Sequence, residues 1–263
     1  MTPIPKVRIA AAYDAAADHY DLPALGFRQY FGEQSVLRAQ LKPGEIVLDV
    51  CSGSGASAIP AARAVGPAGR VIGLDLAPGL IALARQKAAG ESLTNVEFRH
   101  ADFDQAYFRN GSFDAVLCVF GLFFFPDMRA TVQKMRRLLR PGGRLAITTW
   151  GPGLFEPANG IFWNAIREVR PDLFKSSSQR ELLSTPEGLR GFVEGAAVEV
   201  EERDYPLQSA EDWWTVVMGS GHRGVVDQLT AEEREQVRSA CLGVTAPTLR
   251  MSVLYGLASS GAR

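Results

Sequence analysis

Acidic side chains stand at the ends of three apolar segments, and a glycine-rich turn follows the first of them. Asp49 lies in the first segment, ahead of Gly53 and Gly55. Asp75 ends the second segment, 22 positions beyond Gly53, and Asp102 follows the third. Glycines let a ligand approach the backbone closely, and the start of a helix presents free N–H groups. Because the spacing of Asp75 suits a carboxylate that grips ribose hydroxyls, the pattern indicates a ligand that contains a nucleoside.

The glycine turn is a weak signal by itself. Gly53, Gly55 and Ala58 also satisfy the G-x-G-x-x-A pattern of dinucleotide-binding proteins, and a tight strand–helix turn without a ligand has the same pattern. Any one of the carboxylates is equally explained as a helix cap or turn residue. Three of them at consecutive strand ends are much harder to explain in that way. We therefore expect them to surround one site.

Strands and helices alternate over residues 44–150, and this alternation predicts how the acids are positioned. Continuous apolar strands separated by helices predict a parallel sheet covered on both faces. Right-handed crossovers make such a sheet doubly wound, with the ligand beyond the carboxyl ends of the strands, next to the first strand. The predicted strands are residues 45–50, 70–75, 96–100, 113–119 and 145–150.

The rest of the chain is predicted to complete the same unit, so residues 1–263 form one domain. Residues 1–40 are expected to form an N-terminal helical cap and residues 44–150 the cofactor-binding core. Residues 151–263 are expected to supply sheet completion and cap insertions. In that last part the predicted strands are residues 197–207 and 248–257, and the predicted helices are residues 212–219 and 230–243.

Composition narrows the classes of partner. The chain has 28 basic and 29 acidic side chains and a formal net charge of −1, so we expect no nucleic-acid partner. The three cysteines lie far apart without metal-ligand spacing, which favours a reducing compartment and no metal site. No secretory signal is visible and the longest apolar run is too short for a bilayer, so we expect a cytoplasmic protein without stable membrane insertion. A homodimer is left open.

The motifs together resemble those of class I S-adenosylmethionine-dependent methyltransferases. Residues 47–55 (VLDVCSGSG) are similar to the first motif, and Asp75 and Asp102-Phe103 stand at the second and third motif positions. Residues 114–119 resemble the fourth strand, and residues 138–145 (LLRPGGRL) resemble the motif after the following helix. The chain looks most like small-molecule enzymes similar to the ubiquinone and menaquinone biosynthesis methyltransferases.

The resemblance implies an α/β, Rossmann-like, doubly wound and mostly parallel seven-stranded sheet with a helical cap. It implies S-adenosyl-L-methionine as cofactor and methyl transfer to carbon or oxygen of a small, largely apolar metabolite. Asp49 would stabilise the α-ammonium group, Asp75 would accept from the ribose hydroxyls and Asp102 from the adenine amino group. The cofactor-binding residues implied in this way are Asp49, Cys51, Gly53, Gly55, Asp75, Leu76, Asp102, Phe103 and Val119.

Methyl transfer from a sulfonium depends mainly on positioning and water exclusion, and a base is needed only if the acceptor is protonated. His222, His19 and Tyr20 are the candidates for that role, although His222 has the alternative of a solvated loop histidine. Aromatic side chains are predicted to line an apolar acceptor pocket, with core packing as the alternative. The residues assigned to this pocket are Phe123, Trp150 and Trp214.

Two features depart from the family pattern, and two other functions stay open. Cys51 stands where relatives often carry glycine, and Phe123 begins a phenylalanine run where many relatives place histidine. The alternatives are an NAD(P)-dependent oxidoreductase and a non-catalytic cofactor-binding protein. Asp49 argues against the first of these because its carboxylate would repel a dinucleotide pyrophosphate.

Overall fold

Seven strands form one sheet in the computed structural model, which describes residues 5–174, 179–243 and 248–261. Their order across the sheet is third, second, first, fourth, fifth, seventh and sixth. The first five strands are parallel, and the seventh is antiparallel to both the fifth and the sixth. This confirms the predicted Rossmann-like, mostly parallel sheet. The strands are β1 (Ile46–Val50), β2 (Arg70–Asp75), β3 (Val96–His100), β4 (Phe113–Val119), β5 (Leu139–Trp150), β6 (Ala197–Pro206) and β7 (Thr248–Ser259).

Helices cover both faces of the sheet. One apolar cluster joins the third, fourth and fifth helices to one face, and a second joins the sixth and eighth to the other. The described helices are α1 (Lys6–Ala15), α2 (Ala17–Tyr20), α3 (Phe27–Ala39), α4 (Ala58–Val65), α5 (Pro78–Gly90), α6 (Met128–Leu138), α7 (Ala158–Val169), α8 (Pro186–Phe192), α9 (Ala210–Met218), α10 (Arg223–Val226) and α11 (Ala231–Leu242).

The order in which successive strands are added to the sheet reverses at β1, which pairs with β2 on one side and with β4 on the other. A crevice opens at such a switch point because the neighbouring connections leave towards opposite faces. Small side chains let α4 pack closely on the sheet just after the glycine turn. Ala58, Ala61 and Ala62 are each at most 1% exposed. The position predicted for the ligand site is therefore present in the fold.

The first half of β5 differs from the prediction. Pro141 and the two glycines after it predict a break before a strand at Leu145, but extended backbone begins at Leu139, directly after α6. The pairing with β4 shifts register between Phe113 and Ala115. A strand tolerates proline and glycine at such an irregular end, where the proline needs no ladder partner.

A separate aromatic cluster forms the cap over the carboxyl ends of the strands. Phe27 of α3, Phe162 of α7 and Trp213 of α9 are at most 1% exposed within it. Capping boxes at Ser209 and Thr230 begin α9 and α11, in agreement with the two helices predicted there. Across the described ranges, no helix combines the length and apolar character needed to cross a bilayer.

Gly32 allows a close approach between α3 and the chain that enters α4. A Cβ atom at Gly32 would lie 2.2 Å from the carbonyl oxygen of Ala56, whereas a Cβ at Gly90 of α5 would meet nothing within 4 Å. We expect Gly32→Ala to lower the free energy of unfolding, although alanine ordinarily favours a helix over glycine by about 1 kcal/mol. Gly90→Ala is the matched control, for which we expect no loss. Denaturant unfolding measures both, and an equal gain in the two variants would contradict this packing.

Candidate active site

The turn after β1 follows a backbone path that side chains normally disfavour. Gly53 and Gly55 have φ angles of +52° and +88°, and Cys51 has a φ of +60°. The left-handed region is strained for a residue with a Cβ, so the glycines suit the turn and Cys51 does not. Gly121, which follows β4, leaves room for the side chain of Cys51. A Cβ at Gly121 would lie 2.5 Å from the Cβ of Cys51.

Cys51 is half-buried and lines the pocket at the glycine turn, with its thiol beside that of Cys118. A hydrogen bond between the two thiols, together with burial, raises the pKa of Cys51 well above its ordinary value. A thiol that stays protonated is a poor nucleophile. The arrangement therefore gives Cys51 a packing role at the turn and leaves its backbone to shape the site.

Asp49 is a fully buried carboxylate with only one of its oxygens satisfied. Its exposed fraction is 0%, and the hydroxyl of Ser57 donates to its Oδ2 over 2.7 Å. Among the residues that the structure describes, none forms a hydrogen bond with Oδ1. Burial raises the pKa of Asp49 to about 7, with a further contribution from the charge of Asp75. A buried acid in this state is stabilised by a proton or by a cation.

Asp75 connects the end of β2 to the glycine turn. The backbone N–H of Gly53 donates to its Oδ2 over 2.8 Å, and that of Ala77 donates to its Oδ1 over 2.9 Å. Burial raises the pKa of Asp75, while these two hydrogen bonds act in the opposite direction. Each carboxylate oxygen has a second lone pair, so Asp75 keeps capacity to accept from two hydroxyl groups.

Asp102 and Asp75 line one small pocket under α1. Lys6 of α1 donates to Asp102 Oδ1 over 2.7 Å. Leu76 and Phe103 line the same pocket, and its volume is about 40 Å³. Two of the three predicted acids, Asp75 and Asp102, thus share one pocket, and Asp49 lies buried in β1, close enough to Asp75 for their charges to interact.

Tyr20 lies directly over the glycine turn. A Cβ at Gly53 would come within 3.1 Å of the Tyr20 hydroxyl. Tyr13 of α1 contacts the Tyr20 ring at 6.1 Å and the Phe124 ring at 5.4 Å between centroids. Tyr13 was not assigned to the site by the sequence, because nothing in its local pattern shows that α1 folds back over β1.

His222 lies on the side of the candidate active site that the cap covers. Its Nδ1 is 2.8 Å from the Ser220 hydroxyl, and its Nε2 is 2.9 Å from Asn159 Oδ1. Burial lowers the pKa of His222 to about 4, and the charges of Arg180 and Arg28 lower it further. His222 is therefore neutral at physiological pH and a weak base. Its ring contacts those of Phe162, Trp163 and Trp213 at 4.7, 5.8 and 6.1 Å.

The remaining predicted residues lie in different surroundings. His19 is near the surface, with its Nδ1 2.6 Å from Asp18. Trp150 is 7% exposed and stacks on Phe120 at 3.8 Å, so it packs in the aromatic core. Their assigned roles, and the others given to residues of this site, stay predictions. Three more are half-buried: Val119 at the end of β4, Phe123 beside Phe124 and Trp214 against the cap cluster.

The site suits a cationic nucleoside better than a metal or an anion. Among the residues that the structure describes, no three His, Cys, Asp or Glu side chains come together as metal ligands. The unpaired Oδ1 of Asp49 is available to a positively charged donor. Asp75 and Asp102 add acceptors at the neighbouring strand ends, which a sulfonium nucleoside with hydroxyl and amino donors would satisfy.

Comparison with known proteins agrees with this chemistry. A family profile described as a methyltransferase domain matches residues 47–143. Demethylmenaquinone methyltransferase of Geobacillus kaustophilus is 30% identical over 215 residues, which cover 75% of this chain and 92% of that protein. Aklanonic acid methyltransferase DauC of a Streptomyces species is 34% identical over 144 residues, covering 55% of this chain and 66% of its own.

A solved structure gives the same fold over almost the whole chain. The crystal structure of the cyclase SpnF has a TM-score of 0.61 and 19% identity, and the alignment covers 99% of both chains. At that identity the likeness establishes the fold and leaves the reaction to the site residues. The match to a methyltransferase over 92% of that protein and 75% of this chain decides the family, and the methyltransferase profile over residues 47–143 agrees with it. The chain therefore belongs to the class I S-adenosylmethionine-dependent methyltransferases.

Proposed function

We propose that this chain transfers a methyl group from S-adenosylmethionine to carbon or oxygen of a small, largely apolar metabolite held under the helical cap. The observation that carries the proposal is the unpaired oxygen of buried Asp49 beside the glycine turn. A dinucleotide would place a pyrophosphate at this position, where Asp49 and Asp75 would repel it. The same acids favour a cofactor with an ammonium and a sulfonium group.

In this proposal each part of the cofactor is bound by residues at a different strand end. Asp49 holds the α-ammonium group, with the backbone of Cys51, Gly53 and Gly55 around the methionine part. Asp75 accepts from the ribose hydroxyls. Asp102 accepts from the adenine amino group after Lys6 releases it. The adenine ring packs against Leu76 and Phe103, and the backbone after Val119 lines its far side.

The acceptor lies between the glycine turn and the cap. When bound, the cofactor supplies a methyl group bonded to a sulfonium sulfur, and this sulfur is a good leaving group. The chain has to bind the acceptor in line with that bond and exclude water from it. Tyr20 over Gly53 and the half-buried ring of Phe123 provide such an enclosure. Because the pKa of His222 is about 4, it orients the acceptor more readily than it removes a proton.

Two considerations support a small-molecule acceptor. The relatives are named for demethylmenaquinone and aklanonic acid, which are both small molecules. The balanced net charge of the chain does not favour nucleic acid as the acceptor. We therefore propose an enzyme that acts without a nucleic-acid partner, either alone or as a homodimer. We propose the cytoplasm as its compartment because its three widely spaced cysteines favour a reducing environment.

The cofactor assignment is tested by calorimetry with S-adenosylmethionine, S-adenosylhomocysteine and NADH. We expect the first two to bind and NADH not to bind. Asp75→Ala should weaken S-adenosylhomocysteine about tenfold or more, because two charge-assisted hydrogen bonds are lost. Asp172→Ala is the matched control, since Asp172 is exposed and paired with Arg170. Unchanged affinity in Asp75→Ala would remove the ribose assignment. Turnover to S-adenosylhomocysteine with a panel of acceptors tests the reaction itself.

Asp49→Asn should move stability and affinity in opposite directions. The folded-state pKa of Asp49 is about 7, against an ordinary value of 3.8, so its ionisation costs folded-state stability as pH rises from about 4 to about 7. The ligand-free variant should therefore be more stable than the natural chain at pH 8 and nearly equal to it near pH 4. Its affinity for S-adenosylhomocysteine should fall, because the ammonium group loses its carboxylate. Denaturant unfolding at the two pH values and calorimetry measure this, and a variant less stable at pH 8 would contradict it.

A further inference from the structure

The loop between β3 and β4, residues 101–112, has no regular secondary structure and carries both Asp102 and Phe103. It turns at Asp102, whose backbone carbonyl accepts from the N–H groups of Gln105 and Ala106 over 3.0 and 2.8 Å. Such a turn fixes the shape of a loop locally. Contacts with other elements have to determine where the loop lies against the sheet.

The ammonium group of Lys134, on α6, binds this loop at three points. It donates to the backbone carbonyls of Phe103, Asp104 and Ala106, with distances of 3.0 Å to Asp104 and 2.9 Å to Ala106. An ammonium group has three donors, so all of them are used here. Hydrogen bonds from a charged donor are about twice as strong as neutral ones. One side chain of α6 therefore fixes the path of the loop directly after Asp102.

The same ammonium group also contacts the ring of Phe103, with 4.7 Å between its nitrogen and the ring centre. Phe103 is 3% exposed, and its ring packs against that of Phe125 at 6.0 Å between centroids. Burial lowers the pKa of Lys134, while the charges of Asp104 and Asp102 act in the opposite direction. A partly desolvated ammonium is stable where acceptors surround it, so Lys134 and the loop hold each other in place.

The residues that Lys134 fixes are the ones that face the candidate cofactor site. Asp102 and Phe103 line the same pocket as Asp75, whereas Lys134 is not among the residues that line it. Lys6 binds the carboxylate of Asp102 and has to release it for a ligand. Lys134 binds backbone carbonyls, and these contacts can stay in place when a ligand enters. Lys134 can therefore act on a ligand through the residues that it positions.

We propose that Lys134 is a positioning residue, which fixes the loop after β3 so that Asp102 selects the 6-amino group of the cofactor's adenine and Phe103 packs against the adenine ring. This inference rests on the proposed function, which assigns the adenine to these two residues. Removal of the ammonium group leaves three carbonyls without their donor, so the loop relaxes and the carboxylate moves with it. The loss is confined to the adenine end, because residues of β1 and β2 bind the rest of the cofactor.

The probes are S-adenosylhomocysteine and S-inosylhomocysteine, which carries an oxygen in place of the 6-amino group. Calorimetry measures the affinity of each. We expect the natural chain to favour S-adenosylhomocysteine about tenfold, because the oxygen of the other ligand would face the Asp102 carboxylate. Lys134→Met should weaken S-adenosylhomocysteine about tenfold and leave S-inosylhomocysteine nearly unchanged, so the preference disappears. A merely structural role would weaken both ligands alike.

Arg137→Met is the matched control. Arg137 is an exposed residue of the same helix, and its charge acts on that of Lys134. The substitution removes a positive charge from α6 and keeps Lys134 with its three carbonyls. We therefore expect this variant to keep the preference for S-adenosylhomocysteine.

A second variant, Lys134→Arg, keeps the test decisive if Lys134→Met does not fold. Its planar guanidinium retains the charge but cannot direct three donors at carbonyls that meet at one nitrogen, so the preference should fall several-fold. The inference is overturned by a full preference in the folded Lys134 variant, by an equal loss of both ligands, or by a natural chain without the preference. In those cases S-adenosylhomocysteine still binds the natural chain and the proposed function stands. If S-adenosylhomocysteine does not bind the natural chain, the proposed function fails as well.

Discussion

A carboxylate buried without full hydrogen bonding has to take up a proton or a cation, and Asp49 is in that situation at the centre of this fold. Its Oδ1 has no hydrogen-bond partner in the described part of the chain, and burial raises the pKa of Asp49 to about 7. The unfavourable burial of the Asp49 carboxylate occurs at the end of β1, where the switch point opens a crevice that a ligand can enter. Strain and unsatisfied groups of this kind commonly mark functional sites. The glycine turn, α4 and the neighbouring acids are arranged around that one residue.

The carboxylates of the site lie close together at the carboxyl ends of the first three strands. Asp75 and Asp102 line one pocket, and the charge of Asp75 acts on Asp49. In the proposed function these acids orient the cationic cofactor in the ground state as well as during transfer. The Tyr20 ring over the glycine turn shields this part of the site from water, which strengthens such interactions.

The sequence predicts the strand ends well because each depends on local signals. Apolar runs, turn glycines and acids at fixed spacing placed β1 to β4 within one residue and brought Asp49, Asp75 and Asp102 together. The start of β5 was missed because proline and glycine are interpreted locally as a break, whereas pairing with β4 and β7 decides it. Tyr13 could not be found in this way. It reaches the site from α1, a segment without a motif, through packing between elements distant in sequence.

The fold alone does not decide the reaction, since a protein of the same fold is a cyclase. The reaction depends on whether Asp49, Asp75 and Asp102 all bind the same cofactor molecule. A crystal structure with S-adenosylhomocysteine tests this directly. We predict Asp75 within hydrogen-bond distance of both ribose hydroxyls, Asp49 beside the α-ammonium group, and Lys6 displaced from Asp102. A ligand bound elsewhere, or Asp75 turned away from the ribose, would contradict the account.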